Sequence, residues 1–199
     1  MTTLRFFLFL FFLYSSSLAS AFDVGLGFYK PDEKVQASSG GEKPDPTSPG
    51  ISIGHLWSFS VFDFAPRFGY IKHQNNSDDS YGSYKVETMY LLYDLSHRLE
   101  FSGPGEARIN FGVGTFAKKI TGEGGTVEIP NGSGTATATR PGDAKTSYTL
   151  SADLGFDYRW GSTGDTVKGY GLQGYLFAHQ PLNNKKRLYA LSLQFLVLF

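Results

Sequence analysis

The chain ends on the stretch RLYALSLQFLVLF, residues 187–199. Apolar side chains recur there at every second position, which is the side-chain period of a β-strand: Tyr189, Leu191, Leu193, Phe195, Val197 and Phe199. Small or polar residues occupy the positions between them, at Ala190, Ser192 and Gln194, before the final Leu196 and Leu198. The stretch therefore predicts a strand with one apolar face, which lies either against lipid or, as a half-buried terminal strand, against the core of a soluble domain.

The opposite end of the chain has the features of a secretory signal. Arg5 precedes an apolar run at residues 6–14, and small residues follow it up to the A-x-A sequence at residues 19–21. This apolar run is too short for a membrane-spanning helix. We therefore predict a signal peptide over residues 1–21 and a mature domain over residues 22–199.

Composition limits the kind of domain that follows. Removing 21 of the 199 residues leaves 178, enough for one domain, with 17 basic and 18 acidic residues. This balance gives no electrostatic footprint for nucleic acid. Cysteine is absent, which excludes a disulfide framework, a thiolate metal site and a lipoprotein anchor. The 24 glycines and the aromatic content of 16% suit a sheet with an aromatic girdle.

Seven further stretches alternate like the last one, at about residues 22–29, 51–60, 62–70, 84–92, 107–115, 147–160 and 167–179. Polar loops at residues 32–49, 73–83 and 119–144, and a shorter one near 183–186, alternate with short turns. A loop of about 25 residues is unusual in a compact soluble domain but common in a surface barrel. The pattern predicts an all-β, membrane-spanning, eight-stranded antiparallel up-and-down barrel.

The interior volume of such a barrel indicates which face lies inside. Eight strands enclose space for small side chains or one small ligand, so the face rich in Gly, Ser, Asp and Arg is predicted to lie inside. The predicted interior charges are the acids Asp23, Asp63, Glu87, Asp153 and Asp157 and the bases Arg67, Lys85, Arg108, Lys118, Lys145 and Arg159. Unpaired buried charges are costly, so this near-balance predicts a hydrated plug of ion pairs. We expect Arg108 and Arg159 to pair with Asp153, Asp157 or Glu87.

Motifs for catalysis, cofactors or metals are not found in the sequence. Gly25-Leu-Gly27 and Gly112-Val-Gly114 lack the third glycine and the helix of a phosphate-binding loop, so we interpret them as strand glycines. G-x-S-x-G, S-x-x-K and H-E-x-x-H are absent. The four histidines are far apart in sequence, and only His73 and His179 are expected near the same rim. We predict no catalytic, cofactor or metal site.

From Phe22 to Phe199 the pattern resembles the small eight-stranded bacterial outer-membrane barrels, the group of the OmpA transmembrane domain, OmpX and OmpW. The resemblance rests on the signal, the strand count, the loop alternation and the terminal Phe. Ser192, Val197 and Phe199, with Phe195 on the same apolar face as the last two, resemble the C-terminal assembly signal of these barrels. Gln194 departs from that signal, because a glycine usually stands at its position.

The resemblance implies an integral protein of the Gram-negative cell envelope. Its expected partners are outer-membrane lipid and lipopolysaccharide, the barrel-assembly machinery and an extracellular ligand at the loops. The leading hypothesis is a non-enzymatic surface protein that contacts its surroundings through residues 32–49, 73–83 and 119–144.

Two alternatives remain open. The first is a narrow porin-like channel for small or hydrophobic solutes, which a lateral opening at Pro66 would favour. The second is a lipid A-modifying enzyme. The sequences that follow His73, His97 and His179 do not reproduce the His-x-Ser pattern of the deacylases among these barrels.

Overall fold

The computed structural model describes residues 20–31, 34–36, 42–44, 47–58, 62–73, 76–78, 82–100, 102–122, 124–130, 134–139, 142, 144–161 and 166–199. The predicted signal peptide lies outside these ranges up to residue 19. No helix among the described residues is long and apolar enough to cross a membrane.

The described residues form thirteen strands, numbered here in chain order. Eight long strands are β1 (Ser20–Pro31), β4 (Ser48–Trp57), β5 (Asp63–Lys72), β7 (Gly82–Leu99), β8 (Gly105–Gly122), β11 (Ala144–Gly161), β12 (Gly169–His179) and β13 (Leu188–Leu198). Five short ones are β2 (Lys34–Gln36), β3 (Glu42–Pro44), β6 (Asn76–Asp78), β9 (Thr126–Pro130) and β10 (Thr135–Thr139).

The eight long strands form a closed antiparallel barrel. Each pairs with the long strands before and after it in the chain, and β13 pairs with β1, with Phe195 opposite Leu26 and Leu198 opposite Asp23. The Phe199 amide also donates to the Phe22 carbonyl at 2.8 Å, next to the closure. The predicted all-β, eight-stranded antiparallel up-and-down barrel is confirmed.

The two rims of the barrel differ. The start of β1, the end of β13 and the connections at residues 58–62, 100–104 and 162–168 lie at one end, which we call the short-turn rim. The longer connections lie at the opposite end, the long-loop rim. Residues 119–144, predicted to be an unstructured loop, continue the pairing of β8 with β11 up to Thr121 opposite Ala144 and carry the β9–β10 hairpin. Thr, Val and Ile supply this hairpin with strand-forming residues.

The loop at residues 32–49 departs from the prediction in a similar way. It contains the β2–β3 hairpin, in which Val35 lies opposite Lys43. The loop after β5 is shortened as well, because β6 pairs with the beginning of β7. Backbone hydrogen bonding therefore extends into three of the connections at the long-loop rim.

The outside of the barrel is apolar and the inside is mainly polar. In β13, Leu191 and Leu193 are 58% and 61% exposed, whereas Ser192 and Gln194 are buried. Half-buried aromatic rings stack on the outside near the short-turn rim, with Trp57 on Phe64 at 5.6 Å between ring centroids. The predicted faces of the last strand are therefore confirmed.

Strand β7 is the exception among the predicted faces. The alternation places Val86, Tyr90 and Leu92 outward, but the structure buries all three inside the barrel. The outward series is Met89, Leu91, Tyr93 and Leu95. Both faces of this strand are apolar, so the period of two residues cannot distinguish them. The pairing with β8 does, because it sets Tyr90 opposite Phe116 and stacks their rings inside the lumen at 5.3 Å.

Candidate functional site

Buried ion pairs cross the lumen nearer the short-turn rim. Arg67 on β5 forms an ion pair with Asp23 on β1 at 2.7 Å and donates a hydrogen bond to Ser52 Oγ at 2.9 Å. Arg159 on β11 forms an ion pair with Asp157 on its own strand and lies 3.5 Å from Asp23. The relative exposure of these side chains does not exceed 9%. The cluster therefore ties β1, β5 and β11 together across the barrel.

A second cluster lies close to the same rim. Arg108 on β8 forms ion pairs with Asp63 on β5 and with Glu106, and it donates to Ser96 Oγ at 3.3 Å. Arg108 and Arg159 also line an open cavity of about 480 Å³ at this rim. The short-turn end of the lumen is thus a vestibule that ends at arginine side chains.

A hydrogen-bonded chain continues from the first cluster toward the middle of the lumen. Ser52 Oγ, which accepts from Arg67, donates to Gln194 Oε1 at 2.6 Å. The Gln194 amide then donates to the Tyr90 hydroxyl at 3.0 Å. Ser52 and Gln194 come from strands 142 residues apart in the sequence, so this chain exists only in the closed barrel.

Aromatic rings fill the lumen beyond that chain. Phe116 stacks on Tyr90 and meets Phe177 edge-on at 5.2 Å between centroids. Tyr175 stacks on Phe177 at 5.4 Å. A glycine makes room for one of these rings, because a Cβ at Gly155 would lie 2.6 Å from Tyr175 Cε1. None of these four rings is more than 4% exposed, so the middle of the barrel is packed.

A cavity of about 280 Å³ opens above the aromatic layer, toward the long-loop rim. His73 hydrogen bonds with Ser48 Oγ at 3.2 Å and with Thr88 Oγ1 at 2.9 Å, and Tyr29 OH lies 2.7 Å from His179 Nε2. The lining residues are Tyr29, Pro31, His73, Thr88, Phe116, Lys118, Ile120, Ser147, Thr149, His179, Gln180 and Leu188. This lining offers an ammonium group, imidazoles and hydroxyls but no carboxylate. The outer cavity suits a ligand rich in hydrogen-bond acceptors.

The Ser48–His73 contact has the composition of a nucleophile and its base but lacks the access that catalysis needs. Ser48 is fully buried, and the ring nitrogen of His73 opposite to it contacts Thr88. A substrate carbonyl must reach the nucleophile, so we interpret this contact as structural. Among the described residues, no group of three or more His, Cys, Asp or Glu side chains could hold a metal ion.

Most charges that the sequence assigns to the interior lie there. The structure places Asp63, Arg67, Arg108, Asp153, Asp157 and Arg159 inside and buried. Arg159 pairs with Asp157, one of the acids expected for it. Arg108 instead pairs with Asp63 and Glu106, because β5 and β8 meet across the same end of the lumen. Lys85 and Lys145 are exposed.

Glu87 requires a correction. Its side chain lies on the outer side of β7, where it accepts a hydrogen bond from the Tyr70 hydroxyl at 2.6 Å. The reason is the inverted face of this strand, since a shift of one residue moves every side chain to the other face. Glu87 is therefore not part of the interior network.

The same inversion explains an interior residue that sequence reasoning missed. Asp94 on β7 is fully buried and accepts from the Tyr175 hydroxyl at 2.5 Å. The sequence does contain a signal for this face: the polar residues Asp94 and Ser96 lie on the same side of the strand as Tyr90, since they are separated from it by even numbers of residues. Gln194 lies on the polar face that the alternation predicts for β13, but the hydrogen bonds of Gln194 and Gln173 inside the lumen are not predicted by the sequence.

The residues of the proposed assembly signal lie at the barrel closure. Ser192 faces the lumen and lies 3.3 Å from the amide nitrogen of Gln194. Phe195 and Val197 lie on the outer face, and the Phe199 ring lies 6.1 Å from that of Phe22. Gln194 stands where that signal usually has a glycine, and its amide hydrogen bonds inside the lumen to Ser52 and Tyr90.

The comparisons with known proteins found matches among solved structures, all at low sequence identity. No protein-family model and no curated protein matches the chain. Among solved structures, the chain is similar to Ail, the attachment invasion locus protein of Yersinia pestis, at 7% identity and a TM-score of 0.47, covering 90% of this chain and 97% of Ail. A second Ail structure, in complex with the heparin analogue sucrose octasulfate, matches at 9% identity and 0.48, with the same coverage.

Two further barrels give comparable values. Neisserial surface protein A matches at 11% identity and a TM-score of 0.48, covering 90% of this chain and 95% of that one. The N-terminal β-barrel domain of Pseudomonas aeruginosa OprF matches at 10% identity and 0.40, with 92% and 98% coverage. The eight-stranded antiparallel barrel that the sequence predicts is shown by the strand pairing of this chain itself.

Proposed function

We propose that this chain is an integral protein of a bacterial outer membrane and acts as a non-enzymatic surface protein through its long-loop rim. One observation carries the proposal: the barrel is apolar outside and filled inside, while one rim carries extended strands, hairpins and a cavity. An apolar exterior suits lipid, and a filled lumen leaves the loops as the surface for recognition.

The membrane orientation follows from the two rims. In such barrels the short turns face the periplasm and the long loops face outward. Export by the signal at residues 1–21 and recognition of Ser192, Phe195, Val197 and Phe199 by the barrel-assembly machinery are part of this proposal. Lys185, Lys186 and Arg187 are exposed at the long-loop rim, where the phosphates of lipopolysaccharide would lie.

The extracellular ligand follows from the chemistry of the outer cavity. Lys118, His73 and His179 contribute nitrogen groups to its lining, and Tyr29 and Thr149 contribute hydroxyls. A lining of this kind, without carboxylates, favours an acceptor-rich ligand such as a sulfated or phosphorylated sugar. The β9–β10 hairpin follows β8 directly and would form part of the same surface.

Two experiments test the proposal. A peptide tag inserted at residues 131–133, between β9 and β10, should bind antibody on intact cells, whereas the same tag at residues 162–165 should bind only after lysis. The reverse pattern would refute the orientation.

The purified barrel should bind immobilised heparin, and Lys118→Gln should weaken binding more than Lys168→Gln at the short-turn rim. Equal effects of the two substitutions would exclude the outer cavity as the binding site.

A narrow channel is the second candidate, because a cavity opens at each rim of the lumen. Arg67, Gln194 and the aromatic layer lie between the two cavities, and each is at most 4% exposed. Pro66 interrupts the β4–β5 pairing only between Gly54 and Trp57, and the register is the same on both sides. We therefore expect no steady conductance in a planar bilayer. Reproducible openings of the unmodified chain would favour the channel.

A further inference from the structure

The vestibule at the short-turn rim has more cations than anions in its lining. Its volume of about 480 Å³ lies within the usual range for a small-molecule site. Among the described residues, its charged lining consists of four bases and one acid: Arg98, Arg108, Arg159 and Lys168 against Glu106. The vestibule therefore offers an anion a concave surface with an excess of positive charge.

Strand register places two of these cations side by side. Arg98 on β7 lies directly opposite Arg108 on β8. Like charges at directly opposite positions of neighbouring strands repel each other. Both guanidinium groups form an ion pair with the same carboxylate, that of Glu106. One negative charge in the lining therefore serves two positive ones.

The buried Arg108 also has a donor left over. Its hydrogen bonds to Glu106, Asp63 and Ser96 all use Nε and Nη1. Within the described part of the chain, Nη2 of Arg108 has no acceptor, although this side chain is only 5% exposed and lines the vestibule. A buried N–H group without an acceptor is costly. An acceptor atom of a ligand in the vestibule would remove this cost.

Arg98 and Lys168 add donors at the mouth of the vestibule. Arg98 is 68% exposed and uses only Nη2 for its contact with Glu106. Lys168 is exposed as well, and its backbone amide donates to the Leu198 carbonyl at 2.8 Å, which fixes the residue beside the end of β13. The other N–H groups of Arg98 and the ammonium group of Lys168 are therefore available to the same ligand as Arg108 Nη2.

We propose that the vestibule binds a phosphate group through Arg98, Arg108 and Lys168. A guanidinium group presents N–H donors in a planar fork that matches the oxygens of a phosphate, and the negative charge of the phosphate balances the excess of cations. The phosphate belongs either to a small soluble compound or to the head group of a phospholipid at this rim. The site lies at the opposite end of the barrel from the outer cavity, so it does not depend on the ligand proposed there.

Isothermal titration calorimetry provides the test. The full chain, folded in a non-ionic detergent, is titrated at constant ionic strength with inorganic phosphate and, separately, with dihexanoylphosphatidylglycerol. We expect saturable binding that depends on Arg98. Binding of inorganic phosphate would identify a soluble ligand, and binding of the phospholipid alone would identify a head group. Arg98→Gln removes an exposed side chain and should weaken binding about tenfold, the value of one hydrogen bond to a charged group.

Three further variants keep the result interpretable. Lys168→Gln should weaken binding in the same direction, whereas Lys72→Gln, exposed at the end of β5, should leave it unchanged. Binding that is lost in Lys118→Gln belongs to the outer cavity, which separates the two sites. A heat-dependent shift in gel mobility confirms that each variant is folded. Equal affinity of Arg98→Gln and the unmodified chain, or no saturable binding of either ligand, would overturn the proposal.

Discussion

The Arg67–Asp23 ion pair provides the sharpest test of the interior network. The two charges lie 2.7 Å apart and are almost fully buried, so their attraction is about 6 kcal/mol at an effective dielectric constant of about 20. Desolvation opposes most of this attraction, but removing one partner of such a pair typically costs about 3–5 kcal/mol. Asp23 keeps Arg159 at 3.5 Å, so we expect the lower end, about 3 kcal/mol, for Arg67→Met.

Equilibrium urea unfolding in lipid vesicles measures this loss, followed by the fluorescence of Trp57 and Trp160. Asp23→Asn should cost a similar amount, and the double variant should cost less than the sum of the two, with a coupling energy of about 2 kcal/mol. Arg98→Met is the matched control. Arg98 also pairs with an acid, Glu106, but it is 68% exposed, and surface pairs contribute below about 1 kcal/mol. A coupling energy below about 0.5 kcal/mol, or an equal loss for Arg98→Met, would refute the buried network.

Three further predictions concern the faces and the closure of the barrel. Asp157→Asn removes the partner of Arg159 and should lower the free energy of unfolding by about 3 kcal/mol, whereas Glu87→Gln on the outer face should change it little. Similar urea midpoints for the two variants would contradict the inverted face of β7. Gly69→Val places a side chain against the Tyr90 ring and should lower the free energy of unfolding by about 1–3 kcal/mol. Gly174→Val should lower it less in the same measurement, because a Cβ there meets only Ser192 O at 3.9 Å. Deleting Phe199 removes its amide hydrogen bond to Phe22 O and the last residue of the proposed assembly signal. On a gel of isolated membranes, the heat-modifiable band of folded barrel should therefore be weaker for this variant than for Phe62→Ala. Bands of equal intensity for the two variants would refute the assembly role.

The sequence by itself determined the strands and most of their faces. A side chain on a strand alternates between faces with a period of two, and this local property is written into β13 as Leu191, Leu193 and Phe195 outward with Ser192 and Gln194 inward. The number of alternating stretches and the limited interior volume then led to a barrel with its polar face inside. The positions of Asp63, Arg67 and Arg108 inside followed from the same reasoning.

Only the tertiary structure decided the contacts between strands. Strand β7 is apolar on both faces, so its orientation came from the neighbours that register supplies, Phe116 for Tyr90 and Gly112 for Asp94. The pairing of Arg108 with Asp63, and the assembly of His73, Tyr29 and His179 around one cavity, depend on which strands meet across the lumen. Tyr29 and His179 are 150 residues apart in the chain, and the closure of β13 on β1 brings them together. The period of a strand is a local property, whereas register and cross-lumen contacts belong to the closed barrel.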